Sequence, residues 1–82
     1  MRIRINGEEY LRKSREGFPW EELEDLGDFF EILLDESEVE AKYQAPVIRT
    51  IGGQWARRRK PTPWAFSVKT ESPRKIKVTR VD

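Results

Sequence analysis

Residues 2–11 read RIRINGEEYL, and this stretch decides how the sheet begins. Basic and apolar residues alternate through its first four positions, a pattern typical of a strand with one buried face. Asn6-Gly7 follows, the dipeptide that accepts positive φ at both centres of a type I′ turn. The sequence therefore predicts strands over 2–5 and 8–12, joined as an antiparallel hairpin.

The same reasoning predicts three further strands and one helix downstream. The strands are expected over 29–34, 65–71 and 75–81, and the helix within 47–60, after Pro46. The residues that fall along one side of this helix are Val47, Ile48, Ile51 and Trp55. We therefore expect an α+β fold, a small antiparallel β-sheet with one main α-helix packed on one face.

The length of 82 residues leaves room for a single small domain, residues 1–82, with a modest core. The residues expected in that core are Ile3, Ile5, Leu23, Phe29, Ile32, Leu34, Ile51, Trp55, Phe66, Val68, Ile76 and Val78. Phe18, Trp20 and Trp64 are expected to close its edges.

The charges of the chain are strongly segregated along the sequence. Residues 1–45 hold 13 acids against 6 bases, which gives −7, and residues 46–82 hold 10 bases against 2 acids, which gives +8. The net charge of +1 hides this polarity. Such asymmetry suggests a nucleic acid or a charged protein as partner.

The composition excludes most catalytic and metal-binding classes. The chain has no Cys and no His, so it lacks thiolate chemistry, the commonest metal ligand and the usual general base. Asp25, Asp28 and Glu31 are the candidate ligands for Mg²⁺, and no motif fixes their geometry. We expect no enzyme, no catalytic residue, no metal and no cofactor. No apolar run is long enough for a signal peptide or a membrane span, so we expect a cytoplasmic protein without a membrane partner.

A short aromatic and acidic motif precedes the predicted third strand. It reads FPWEELE at 18–24 and GDFF at 27–30, and a basic helix and a hairpin with FSVK and KVTRV follow it. This combination resembles a group of small uncharacterised bacteriophage proteins over roughly residues 18–82. The resemblance implies a phage origin and a small α+β fold, and it implies no reaction. An extra residue before Gly27 and a Thr at 79 in place of the usual Trp depart from the pattern of that group.

Nucleic acid is the first partner that the sequence predicts. Four adjacent cations stand at the end of the predicted helix, and basic residues that neutralise phosphates give sequence-independent affinity. The expected contact residues are Arg49, Arg57, Arg58, Arg59, Lys60, Lys69, Lys75 and Lys77. Trp55 and Trp64 flank this run and offer stacking on unpaired bases, although Trp55 also suits the core. A solvated helix end is the alternative interpretation of the arginines.

The acidic stretch 16–40 predicts a second kind of partner. Eleven carboxylates with no cation among them can imitate a phosphate backbone. A phage-encoded inhibitor of a host nucleic-acid-binding protein or defence complex, of the anti-CRISPR kind, would use such a surface. The candidate contact residues are Glu21, Glu22, Glu24, Asp25, Asp28, Asp35, Glu36 and Glu38. A solvated face is the simpler interpretation, and the oligomeric state is left open.

Overall fold

A computed structural model describes residues 1–10, 17–59 and 62–82 of the protein. The strands and helices have the following bounds: β1 Arg2–Ile5, β2 Glu8–Tyr10, a 3₁₀ turn Trp20–Glu22, β3 Phe29–Leu33, α1 Ala41–Arg57, β4 Phe66–Ser72 and β5 Lys75–Arg80. The sheet has five strands in the order β2-β1-β3-β5-β4, and every neighbouring pair is antiparallel. The predicted α+β fold with one helix on an antiparallel sheet is confirmed.

The β1–β2 hairpin turns at Asn6-Gly7, as the sequence predicts. Asn6 has φ 49° and Gly7 has φ 86°, the positive values that the turn requires. Asn6 also joins this turn to the start of β3, because its Oδ1 accepts a hydrogen bond from the Phe29 amide at 3.0 Å. Positions 11 and 12 of the predicted second strand lie outside the described residues.

Helix α1 begins at Ala41, before Pro46, so the prediction that it begins after Pro46 is wrong. A proline inside a helix removes one amide donor and crowds the preceding turn. Packing compensates for this cost, because Ala41 and Ala45 are buried and the Ala41 amide donates to the Pro73 carbonyl at 2.9 Å. Tertiary contacts at the first turn therefore override the local signal of the proline.

The helix turns a different side to the sheet from the one that its large apolar residues predict. The residues of α1 that are buried are Ala41, Ala45, Ile48, Gly52 and Ala56. Of the predicted side, Ile48 is buried, Trp55 is half-buried, and Val47 and Ile51 are exposed. Small residues at the contact let the helix lie close to the sheet, whereas large side chains there would hold the two apart.

Phe29 and Trp20 each lie in a different part of the molecule from the one that the sequence predicts. Phe30 is fully buried, whereas Phe29 is half-buried on the opposite face of β3, because successive side chains of a strand alternate. Trp20 is 3% exposed and belongs to the core rather than to its edge. Ile5 and Phe66, predicted to be core, are partly buried and pack against it.

Candidate functional site

Three consecutive exposed arginines, Arg57, Arg58 and Arg59, stand at the end of α1, and we call them the helix-end cluster. Within the described part of the chain, none of them has a carboxylate within 4.0 Å. Cations are favoured at this position because the last carbonyls of a helix carry partial negative charge. The predicted fourth member, Lys60, lies outside the described residues.

Two tryptophans lie beside the helix-end cluster. The ring centroids of Trp55 and Trp64 are 5.3 Å apart, and both residues are half-buried. The Arg59 guanidinium lies 4.6 Å from the Trp64 centroid and 5.7 Å from that of Trp55. A second guanidinium, that of Arg80, lies 3.7 Å from the Trp64 centroid. The cluster and the rings therefore form one continuous surface.

The contacts of these rings limit how far they can stack on bases. Trp55 packs against Phe66 at 5.9 Å, and Trp64 already has guanidinium groups over its ring. Arg80 is fixed in turn, because it donates hydrogen bonds to the carbonyls of Leu23 and Glu24. The stacking role predicted for the two tryptophans therefore competes with cation–π contacts inside the protein.

Arg49 lies apart from the helix-end cluster, near the middle of α1. Its guanidinium donates a hydrogen bond of 3.0 Å to the carbonyl of Val68 in β4. Strand β4 is the edge of the sheet, so this bond satisfies a carbonyl that has no neighbouring strand. Arg49 thus positions the helix on the sheet.

The three predicted lysines lie on the sheet face that points away from α1, which we call the open face. Strand alternation places Lys69, Lys75 and Lys77 opposite the buried side chains of β4 and β5. Lys69 and Lys77 are paired directly across the two strands, and within the described residues neither has a carboxylate within 4.0 Å. Lys77 also lies 4.3 Å from the ring centroid of Phe29. The open face is a second, separate basic surface.

Lys75 differs from the other two lysines because it is paired with a buried acid. Its Nζ lies 2.7 Å from Glu31 and 3.4 Å from Glu71. The hydrogen bond to Glu31 raises the pKa of Lys75 above its ordinary value of 10.5, and burial opposes this rise. Glu31 is buried in the middle of the open face and also contacts Arg4 at 3.6 Å. Lys75 therefore has a structural role in the sheet, and no local pattern in the sequence indicates that Glu31 is buried.

The predicted acidic surface is divided between the two ends of β3. The members before this strand, which we call the lower acidic group, are Glu21, Glu22, Glu24, Asp25 and Asp28. The members after it, which we call the upper acidic group, are Asp35, Glu36 and Glu38. A strand of this length separates the two groups by roughly 17 Å or more. The structure does not bring them together as one surface.

The upper acidic group is largely engaged in holding its own loop. Asp35 Oδ1 accepts hydrogen bonds from the hydroxyl of Ser37 at 2.5 Å and from its amide at 2.9 Å, and these bonds lower the pKa of Asp35. Glu38 lies 2.7 Å from the amino group of Met1. Arg74 donates to the carbonyls of Asp35 and Glu38 at 3.1 and 2.7 Å. Glu36 remains exposed.

The lower acidic group is more open to solvent. Its exposed members are Glu21, Glu22, Glu24 and Asp25. Asp28 has a structural role, since its carboxylate accepts hydrogen bonds from the Asp25 amide at 3.0 Å and from Asn6 Nδ2 at 3.3 Å. Glu31 is held on the open face by Arg4 and Lys75, so it does not join Asp25 and Asp28 as a third ligand.

Across residues 1–10, 17–59 and 62–82, no group of three or more His, Cys, Asp or Glu side chains is arranged to hold a metal ion. Within these residues, no helix has the length and apolar character needed to cross a bilayer.

A groove beside α1 was not predicted from the sequence. It has a volume of about 620 Å³ and lies between the helix, Phe18 and the loop that follows β3. The helical residues that line it include Tyr43, Val47 and Ile51, four residues apart. This spacing is visible in the sequence, but it is equally typical of the side of a helix that faces the core. The sequence therefore predicts that Val47 and Ile51 lie on the core-facing side.

Comparison with protein-family models, curated proteins and solved structures finds no match to this chain. The resemblance to bacteriophage proteins therefore stays an expectation.

Proposed function

We propose that the protein binds nucleic acid, with the helix-end cluster as its main contact to phosphate. The observation that carries the proposal is that Arg57, Arg58 and Arg59 are exposed and have no carboxylate partner among the described residues. Such cations displace the counterions of a phosphate backbone, which gives affinity without sequence preference and with strong salt dependence.

The helix-end cluster supports this role better than the open face does. Lys75 is paired with Glu31 and Glu71, so the free cations of the predicted set on that face are Lys69 and Lys77. Arg49 is occupied by the Val68 carbonyl. The helix end offers three adjacent charges and the partly exposed ring of Trp55 beside them.

The test compares three double charge reversals by fluorescence anisotropy, with labelled single-stranded and double-stranded oligonucleotides at two salt concentrations. The variants are Arg57→Glu with Arg58→Glu at the helix end, Lys69→Glu with Lys77→Glu on the open face, and Arg2→Glu with Lys42→Glu as control. Each lowers the net charge from +1 to −3, so differences between them report position rather than total charge.

We expect the helix-end variant to weaken binding about tenfold or more, and each lost phosphate contact to reduce the salt slope on duplex DNA by about 0.9. The control should weaken binding less. Thermal unfolding should stay near the wild type for the helix-end and control variants, since exposed charges contribute little to stability. Absence of wild-type binding at low salt, or equal losses in the three variants, would overturn the proposal.

The lower acidic group favours a second candidate function, inhibition of a host nucleic-acid-binding protein or defence complex. Glu21, Glu22 and Asp25 are exposed, and within the described residues none of them is in an ion pair. Carboxylates without internal partners are available to a basic groove on another protein. This function also rests on the phage resemblance, and its test is given in the Discussion.

A further inference from the structure

The groove beside α1 presents a large apolar surface to solvent. Four of the side chains that line it are more than two-fifths exposed: Val39 at 60%, Tyr43 at 64%, Val47 at 59% and Ile51 at 42%. The half-buried ring of Phe18 continues this surface on the far side. Contiguous exposed apolar residues of this kind mark interaction sites, whereas single ones need no explanation.

We propose that this groove docks an amphipathic helix of a partner protein, with apolar residues along one side and Lys or Arg near one end. The inference goes beyond nucleic-acid binding, because it uses none of the basic residues assigned to that function.

The shape of the groove favours a helix. Tyr43, Val47 and Ile51 follow one another at about 6 Å along α1, since four residues rise by that distance. A second helix lying beside α1 offers side chains at the same repeat, so the apolar rows of the two interdigitate. The groove extends past the start of α1 to Val39, which lengthens the contact.

The charge around the groove favours basic residues on the partner. The loop at its upper end carries Asp35, Glu36, Glu38 and Glu40, and Glu38 itself lines the groove. Glu38 is paired with the Met1 amino group at 2.7 Å, whereas Asp35 and Glu36 are exposed, and Glu36 has no ion pair among the described residues. Cations on an incoming helix therefore meet carboxylates at this end, which orients the helix and speeds its encounter.

The apolar side chains that a second copy of the chain exposes outside its own groove fit this surface less well. Outside the groove, the exposed large apolar side chains of the described residues are Met1, Leu26 and Val81. Leu26 lies inside the lower acidic group, so docking it here would bring carboxylates against the carboxylates of the loop.

The experiment titrates ¹⁵N-labelled protein with a synthetic peptide of about 14 residues that carries Leu at i, i+4 and i+7 and Lys near one end. Two control peptides replace Lys by Glu or scramble the positions of Leu. We expect saturable shifts at Val39, Tyr43, Val47 and Ile51 with the first peptide, and binding about tenfold weaker or worse with either control.

The matched variants are Val47→Ser with Ile51→Ser in the groove and Leu26→Ser with Val81→Ser elsewhere. The groove variant should weaken peptide binding about tenfold or more, and the other should not. Neither should alter nucleic-acid binding, so this proposal and the preceding one can fail separately. Circular dichroism checks that both variants are folded.

Three outcomes would overturn the inference. These are shifts that map outside the groove, equal binding of the Lys and Glu peptides, or no saturable binding up to about 1 mM peptide. Sedimentation of the wild type supplies a further outcome. A dimer that the groove variant abolishes would assign this surface to a second copy of the chain and would exclude the partner helix.

Discussion

The indole ring of Trp20 lies directly against the backbone of Gly52. A Cβ atom at position 52 would stand 2.7 Å from Cη2 and 2.8 Å from Cζ3 of that ring. Trp20 also packs against Phe30 and Phe66, with centroid distances of 5.2 and 5.0 Å. Because Phe30 lies in β3 and Phe66 begins β4, this single ring joins the helix to two strands.

Gly52→Ala should destabilise the protein even though alanine is the better helix former. The change gains about 1 kcal/mol of helix propensity, but it forces a methyl group into the ring of Trp20, and overpacking costs about 1–3 kcal/mol. Urea denaturation measures the difference. Gly53→Ala is the matched control, since nothing lies within 4 Å of its Cβ position, and this variant should be more stable than the wild type. Equal stabilisation of both would contradict the close contact.

Trp20→Ala and Trp55→Ala should differ in cost. Trp20 is 3% exposed, so its removal should lower the free energy of unfolding by about 3–5 kcal/mol. Trp55 is half-buried, so its removal should cost roughly 1–3 kcal/mol. Chemical denaturation gives both values. If Trp55→Ala proved as costly as Trp20→Ala, the ring would belong to the core and would not be available to a ligand.

Lys75→Met should lower the melting temperature, and the loss should depend on pH. The change leaves the buried Glu31 with Arg4 at 3.6 Å as its remaining ion-pair contact among the described residues. The hydrogen bond to Glu31 raises the pKa of Lys75 in the folded protein above its ordinary value of 10.5. The stabilisation is therefore fully present below pH 10.5, and it is lost as the pH rises through the pKa of Lys75 in the folded protein. Thermal unfolding between pH 7 and about 11.5 should therefore show the two proteins converging only at the alkaline end.

Lys69→Met is the control for that experiment, because Lys69 is exposed and has no carboxylate within 4.0 Å among the described residues. Its melting temperature should follow the wild type at every pH. A loss in Lys69→Met as large as that in Lys75→Met would show that the ion pair with Glu31 does not stabilise the sheet.

Reversing Glu21, Glu22 and Asp25 to Lys separates the two candidate functions. Asp28 is left unchanged, because its carboxylate holds Asn6 and Asp25. If the protein inhibits a host nucleic-acid-binding protein, the variant should lose that complex in a pull-down. If it binds nucleic acid, removal of repulsion should leave oligonucleotide binding intact or tighten it.

Glu36→Lys is the control at the other end of β3, where the upper acidic group lies. The structure leads us to expect that this change acts independently of the first, because the two groups are separated by the length of a strand. Loss of one complex through either change alone would instead require a partner that spans the molecule.

The sequence predicted the sheet because its strands carry strong local signals. Asn6-Gly7 sets the first hairpin, and alternation around Val68 and Val78 sets the last. The side of the helix was missed because Val47 and Ile51 look like core residues. The buried side is the one on which Trp20 fits onto Gly52, a contact between residues far apart in the chain that no local period reveals.

The surfaces were harder to predict than the fold for a similar reason. The order of charges along the chain suggests two electrical halves, but β5, from the basic half, lies between β4 and β3, and β3 comes from the acidic half. Lys75 is thereby paired with Glu31, and Arg80 reaches the carbonyls of Leu23 and Glu24. Arg57, Arg58 and Arg59, which are adjacent in sequence on one helix end, keep the grouping that the sequence shows.

The place of β5 in the sheet also has a consequence for how the chain acquires its structure. Strand β3 pairs with β1 on one side, and its other edge is covered only by β5, which follows α1 and β4 in the chain. Non-local pairing of this kind slows folding, and an unpaired central strand attracts other chains meanwhile. A nascent or truncated chain that lacks β5 should therefore aggregate rather than hold a partial fold.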